Sequence, residues 1–198
     1  MTALTDPTTA SVFTVGKNQR NGFDAATVGS HEHYVNTLFN RGPETCRQLY
    51  DRMVGAPSPT RKNTDALVTK LRSHGISEVL ETNVICYSTP MSSDLRKLAH
   101  LGGTERGQEI FAVLLDLIQP RVLISHGADT AKKLSRILQV RLPAPPTAPS
   151  DPLECVVGGT TVFIIPSLAP PQFNKWSRWS EPHLEKVCER VGLIMRQQ

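Results

Sequence analysis

The amino-acid sequence predicts an α/β protein of three layers (α/β/α), with a largely parallel four-stranded central sheet covered by helices on both faces. Three observations carry that expectation. Short β-branched and apolar runs recur at 11–15 (SVFTV), 77–87 (SEVLETNVICY), 121–125 (RVLIS) and 160–165 (TTVFII), each with the composition of a strand. Between them lie stretches whose apolar residues recur at helical spacing. Strand and helix alternate along the chain, the order that yields parallel pairing through crossover helices. At 198 residues the chain suits one domain with one sizeable core, expected over 11–198 after a loose, turn-prone leader at 1–10.

Taken in order, the first strand is expected to stop at Gly16 and give way to a polar turn over 17–23. A helical region at 31–53 breaks at Gly42-Pro43, because proline disfavours a helical residue before it. Tyr34, Leu38, Leu49 and Met53 are its core positions. A loop at 55–62 leads to a helix reaching Ser73, with Leu67, Val68 and Leu71 inward. The second strand carries Asn83 among Val79, Leu80, Val84, Ile85 and Cys86, where a carboxamide must find partners or lose about 1–3 kcal/mol of solvation. Ser92 or Ser93 with Asp94 starts the next helix. Another runs from about Thr104, burying Ile110, Phe111, Leu114, Leu117 and Ile118. After the third strand, His126-Gly127 turns into a helix over 128–138, and a strand, a glycine turn and a helix N-terminus make a ready anion site. Proline-rich 141–152 is a surface excursion leading to an antiparallel piece at 154–157. The last helix is expected to open at Ser180-Glu181-Pro182 and to bury Leu184, Val187, Cys188 and Val191.

Composition bounds the function. With Lys+Arg 22 against Asp+Glu 18, the net charge of +4 permits a polyanionic partner without demanding one. Cys46, Cys86, Cys155 and Cys188 form no Cys-x-x-Cys pair, which argues against a metal or iron–sulfur site and for reduced thiols. No cofactor is expected. No run approaches the roughly 18 apolar residues of a membrane span, and no signal-peptide core is present, so an intracellular monomer is expected.

The most informative stretch is 160–176, TTVFIIPSLAPPQFNKW. A strand ends at Pro166, and a stiff, aromatic-tipped loop leaves its carboxyl end, where open α/β sheets place their chemistry. Pro166, Ser167, Pro171, Gln172, Asn174, Lys175 and Trp176 resemble the second signature loop of the uracil-DNA glycosylase superfamily. The likeness is closest to the single-strand-selective monofunctional type, whose loop runs HPSPRNPQANKGW. Ile165 stands where that loop has His. Gly16 and Asn18 are similar to the family's first signature, Gly-x-Asn-Pro-Gly, with Gln19-Arg20 in place of Pro-Gly. Residues 82–86, Thr-Asn-Val-Ile-Cys, resemble its His-Asn-Leu-Cys-Pro segment.

That resemblance implies a uracil-DNA glycosylase-like fold and a partner in DNA. It also implies base excision without lyase chemistry. A stacked base must be rotated out of the duplex, at a cost of a few kcal/mol, before it can be reached. The resemblance gives Asn18 the attacking water and Asn83 the base edge, a carboxamide offering both donor and acceptor. Gly16 then borders the base, and Phe23 or Tyr34 can stack on it. Leu168 or Phe173 would fill the vacated space, with Gln172 and Asn174 on the orphaned partner and Lys175 and Arg178 on phosphate. Arg61, Lys62, Lys70 and Arg72 are further phosphate candidates. The family's His donates to the departing base, a contact worth about 10²–10³ in rate. With isoleucine in its place, His126, His31, His33 or backbone amides near Ser167 are the candidate donors, or the base differs from uracil, for example a hypermodified phage base. Two other classes remain: a catalytically silent DNA-binding module of the same fold, and an unrelated α/β enzyme for small nucleotides.

Overall fold

A computed structural model describes residues 3–20 and 22–197. In chain order its elements are β1 (Val12–Arg20), α1 (Ala25–Val28), α2 (His31–Leu38), α3 (Cys46–Val54), α4 (Pro59–Ser73), β2 (Val79–Thr89), α5 (Gly103–Ile118), β3 (Val122–His126), α6 (Ala128–Ile137), β4 (Glu154–Val157), β5 (Thr160–Ile165) and α7 (Ser177–Arg196). The strands form one five-stranded sheet in the order β2-β1-β3-β5-β4. The first four in that order run parallel, and β4 adds an antiparallel edge beside β5. The sheet is therefore mostly parallel, with one strand more than the four expected.

Helices cover both faces. On one, α4 and α7 pack Leu67, Val68, Leu71, Val187 and Val191 against Val12, Val122, Ile124, Phe163 and Ile165. On the other, Phe111 of α5 and Ala131 and Leu134 of α6 meet Phe13, Val15, Leu123, Val162 and Ile164. The alternation of each central strand thus feeds two cores across one sheet. Local signals set the helix starts: Ser58 accepts from the Arg61 amide ahead of Pro59, and Thr45 and Gln48 form a reciprocal capping box.

Four expectations need correcting. β1 does not stop at Gly16: the chain stays extended to Arg20, paired with β2 as Asn18 with Ile85 and Arg20 with Thr89. Ladder hydrogen bonds to β2 override the turn propensity of Lys17-Asn18-Gln19-Arg20. The face that α5 docks is a glycine stripe, Gly103 and Gly107 with Phe111, while Ile110 and Leu117 are 44% and 72% exposed. A Cβ at Gly103 would lie 2.7 Å from the Tyr87 ring, and one at Gly107 2.7 Å from Ile85 Cγ2. Only bare backbone comes close enough to shield this edge strand. The last helix begins at Ser177, so Pro182 lies inside it, where the Ser180 hydroxyl donates to the Ser177 carbonyl (2.9 Å). The leader is tied down from Leu4 onward: Leu4 packs on the α5–α6 core, Asp6 caps a 3₁₀ turn at Pro7–Thr9 and Ala10 is buried. Met1 and Thr2 lie outside the described residues.

The proline-rich excursion is pinned to the helices: the Leu142 amide donates to Ser135 Oγ (2.9 Å) and Lys186 pairs with Asp151 (2.9 Å). The four cysteines are free. No helix of the described residues is long and apolar enough to cross a membrane.

Candidate functional site

Strand register aligns one residue from each parallel strand, at the carboxyl ends of β3 and β5 and partway along the longer β1 and β2. Asn83 of β2 pairs with Gly16 of β1, and His126 of β3 pairs with Ile165 of β5. The Val15–Ser125 pair, one step earlier, sets Gly16 beside His126. Across the sheet the row reads Asn83, Gly16, His126, Ile165. Its centre has no side chain: a Cβ at Gly16 would lie 2.6 Å from Asn83 Oδ1 and 3.1 Å from His126 Nε2. Both polar atoms therefore converge on the same bare Cα.

The electrostatics of this row suit a neutral ligand edge or a departing anion. Burial pushes the His126 pKa down to about 4, so the ring is neutral near pH 7. Its Nδ1 is fully enclosed without a partner. An unmatched acceptor is more tolerable than an unmatched N–H, which favours the proton on Nε2, the nitrogen beside Gly16 and Asn83. Among the described residues the Asn83 carboxamide has no hydrogen-bond partner either, so one neutral donor and one amide remain for an occupant.

Asn18 is placed differently. Its Nδ2 donates to Thr89 Oγ1 (2.9 Å) and to the Gln19 carbonyl (3.3 Å), and its Oδ1 accepts from the Ser92 hydroxyl. The carboxamide thus ties the end of β1 to β2 and to the following 3₁₀ turn, Ser92–Arg96. Thr89 and Ser92 were not foreseen as its partners, because the run into Thr89-Pro90 carries only a strand-end signal. Phe23 is half-buried beyond β1.

The loop after β5 divides into an anchored inner side and an exposed outer side. Leu168 is fully buried and Trp176 nearly so, both in the α4–α7 core. Neither can act as a wedge or a DNA contact. Trp176 Nε1 donates to the Ser167 carbonyl (2.9 Å), and Asn63 Nδ2 of α4 donates to the Leu168 carbonyl (2.8 Å). Phe173 lies half-buried with its ring edge-on to Trp176 at 5.4 Å. Pro166 is buried and Ser167 half-buried, packed beside Gly127. Gln172, Asn174, Lys175 and Arg178 are exposed.

Other candidates fall away from this row. His31 is exposed at the start of α2, and His33 faces Glu44 at 3.4 Å. Tyr34 is half-buried in α2. Arg61 is drawn inward to Asp65 (2.6 Å) and Glu81, and Lys70 is held by Glu181 (2.5 Å) and Glu185 (2.9 Å). Carboxylates already neutralise both, so neither is free for phosphate. Two surface clefts of about 260 and 440 Å³ lie elsewhere, the first across the sheet beside Lys17 and α6, the second between Asp151–Glu154 and α7. Comparison with protein-family models and with curated proteins finds no match to this chain.

Proposed function

We propose that this protein is a monofunctional DNA glycosylase that hydrolyses the N-glycosidic bond of an extruded, damaged or modified base and leaves an abasic site. The convergence of Asn83 Oδ1 and His126 Nε2 on the bare Cα of Gly16, level with the carboxyl ends of β3 and β5, carries this reading. The motif resemblance supports it. Asn83 reads the base edge with its free carboxamide. His126 takes the place of the histidine that Ile165 displaces: it stands one strand away at the same level.

As the glycosidic bond breaks, the base departs as an anion and the sugar becomes oxocarbenium-like. A neutral Nε2–H stabilises the anion without first having to lose a proton. Water then adds to the sugar carbon and yields its proton to solvent, balancing the hydrolysis. The exposed side of the loop, Gln172 with Asn174, Lys175 and Arg178, meets the strand, while Phe173 stands against Trp176 behind it. The enzyme acts as a monomer.

The test is a panel of single- and double-stranded DNAs bearing uracil, hypoxanthine, xanthine or hypermodified cytosines, treated with the protein and then with alkali to reveal abasic sites. Release from at least one member is expected, and His126→Gln is expected to slow it by about 10²–10³. Release of none, or full activity of His126→Gln, defeats the proposal. A second reading, a DNA-binding module without chemistry, is favoured by the engagement of Asn18 with Thr89 and Ser92. It expects unaltered DNA binding in Asn18→Ala and no base release in any case.

A further inference from the structure

Across β1 from Gly16 lies a cleft of about 260 Å³ whose walls carry Lys17, Arg96, Lys132, Lys133 and Arg136, with Asp129 as the one acidic residue. Five cations against one carboxylate leave an excess of four, as large as the net charge of the whole chain, +4. Lys17 engages Asp129 at 2.8 Å. Among the described residues, Arg96, Lys132, Lys133 and Arg136 form no ion pair. Where cations cluster elsewhere, a carboxylate stands between them: Arg47 and Arg61 share Asp65. Here the carboxylates that act on the cluster, Asp129 and, on Lys133, Glu105, are outnumbered by the cations.

The surroundings favour an anion further. Thr104 adds a hydroxyl to the lining, and α5 and α6 both start beside it without a side-chain cap. Their first amides and dipoles therefore add positive potential to the cleft. Lys133 is half-buried, and desolvation, then Lys17 and Arg136, hold its pKa below the usual lysine value. Folding has thus gathered these charges against their mutual repulsion.

We propose that this cleft binds phosphate groups, either in the backbone of a nucleic acid or on a free nucleotide. The charges and the cavity carry the phosphate; choosing the DNA backbone as its source rests on the proposed function. The two sites are neighbours through β1: Lys17 lies between Gly16 and Asn18, and Ser92 both lines the cleft and donates to Asn18. A strand crossing the carboxyl edge would present a base on one side of β1 and a phosphate on the other.

The experiment measures binding of an unmodified fluorescent 15-mer, single- and double-stranded, by anisotropy across salt concentrations, and of dAMP by calorimetry. Wild type is compared with Arg96→Gln/Lys133→Gln and with Arg196→Gln, an exposed cation outside the cleft. The double variant is expected to bind the oligonucleotide at least 10-fold more weakly, with a salt slope shallower by about one to two units, while Arg196→Gln matches wild type. Loss confined to the oligonucleotide identifies the backbone as the source; parallel loss of dAMP identifies a nucleotide. Equal affinity of wild type and double variant for both probes overturns the proposal. Because neutralisation relieves repulsion, the double variant should melt no lower than wild type, which separates lost binding from lost folding. The probes contain no modified base, so the result stands whether or not base release is found.

Discussion

Gly16 decides more by what it lacks than any other residue does by what it carries. A methyl group there would sit 2.6 Å from Asn83 Oδ1, inside the closest approach of real atoms, so one of the two must move. Gly16→Ala is expected to cost about 1–3 kcal/mol in denaturant unfolding and to reduce base release at least 10-fold; an unaltered variant would show that the row is not the site. His126 makes a separate prediction. Its folded pKa of about 4 lies below the ordinary 6.5, so the unfolded chain binds the extra proton between those values. Stability from this group is therefore complete above about pH 6.5 and falls as pH drops toward 4, by up to about 3 kcal/mol. Replacing His126 with Gln should flatten unfolding free energy over that window. His183, whose pKa burial also lowers, contributes in the same direction. Gly16 and His126 were legible in the sequence as residues at strand ends, and Asn83 as a carboxamide inside a strand. Their meeting was not, because β1, β2 and β3 come together only through pairing between distant segments.

Among the elements, α5 shows a sequence pattern that finds its buried face only in part. Of Ile110, Phe111, Leu114, Leu117 and Ile118, Phe111 is buried and Ile118 packs on the core, but Ile110 and Leu117 are exposed, and the helix seats its glycines on Tyr87 and Ile85. Gly107→Ala should destabilise by more than 1 kcal/mol, whereas Leu117→Ser, on the exposed side, should stay within about 0.5 kcal/mol. Chemical denaturation monitored by circular dichroism distinguishes the two. The loop after β5 was recognised from its prolines and aromatics, but which residues it buries was not. Trp176 belongs to the core because its indole N–H has a carbonyl to meet at Ser167. Trp176→Phe keeps most of the apolar contact and should lose about 1 kcal/mol for that hydrogen bond.

Over the whole molecule, one sheet joins two cores, and neither can lose its strands without exposing the other. Unfolding should accordingly be a single transition. Trp176 and Trp179 lie on the α4–α7 side, so tryptophan fluorescence reports that core while far-UV circular dichroism reports both. Coincident denaturant curves are expected; a fluorescence change well ahead of the dichroism would show that the layers separate. Charge is likewise a property of the whole. Lys132, Lys133 and Arg136 announce only a basic helix turn in sequence, and they become a cleft because Lys17 and Arg96 arrive from two other segments.

Local chemistry was enough to place the strands, most of the helices and the proline-stiffened loop, because β-branching, helical periodicity, caps and missing amide donors act within a few residues of the chain. Tertiary pairing decided how far β1 runs, which face of α5 is buried, that Asn18 serves Thr89 and Ser92, and that His126 stands level with Ile165. Those outcomes depend on which distant backbone supplies a hydrogen-bond partner and which side chain already fills the space, and no stretch of sequence contains both halves of such a contact.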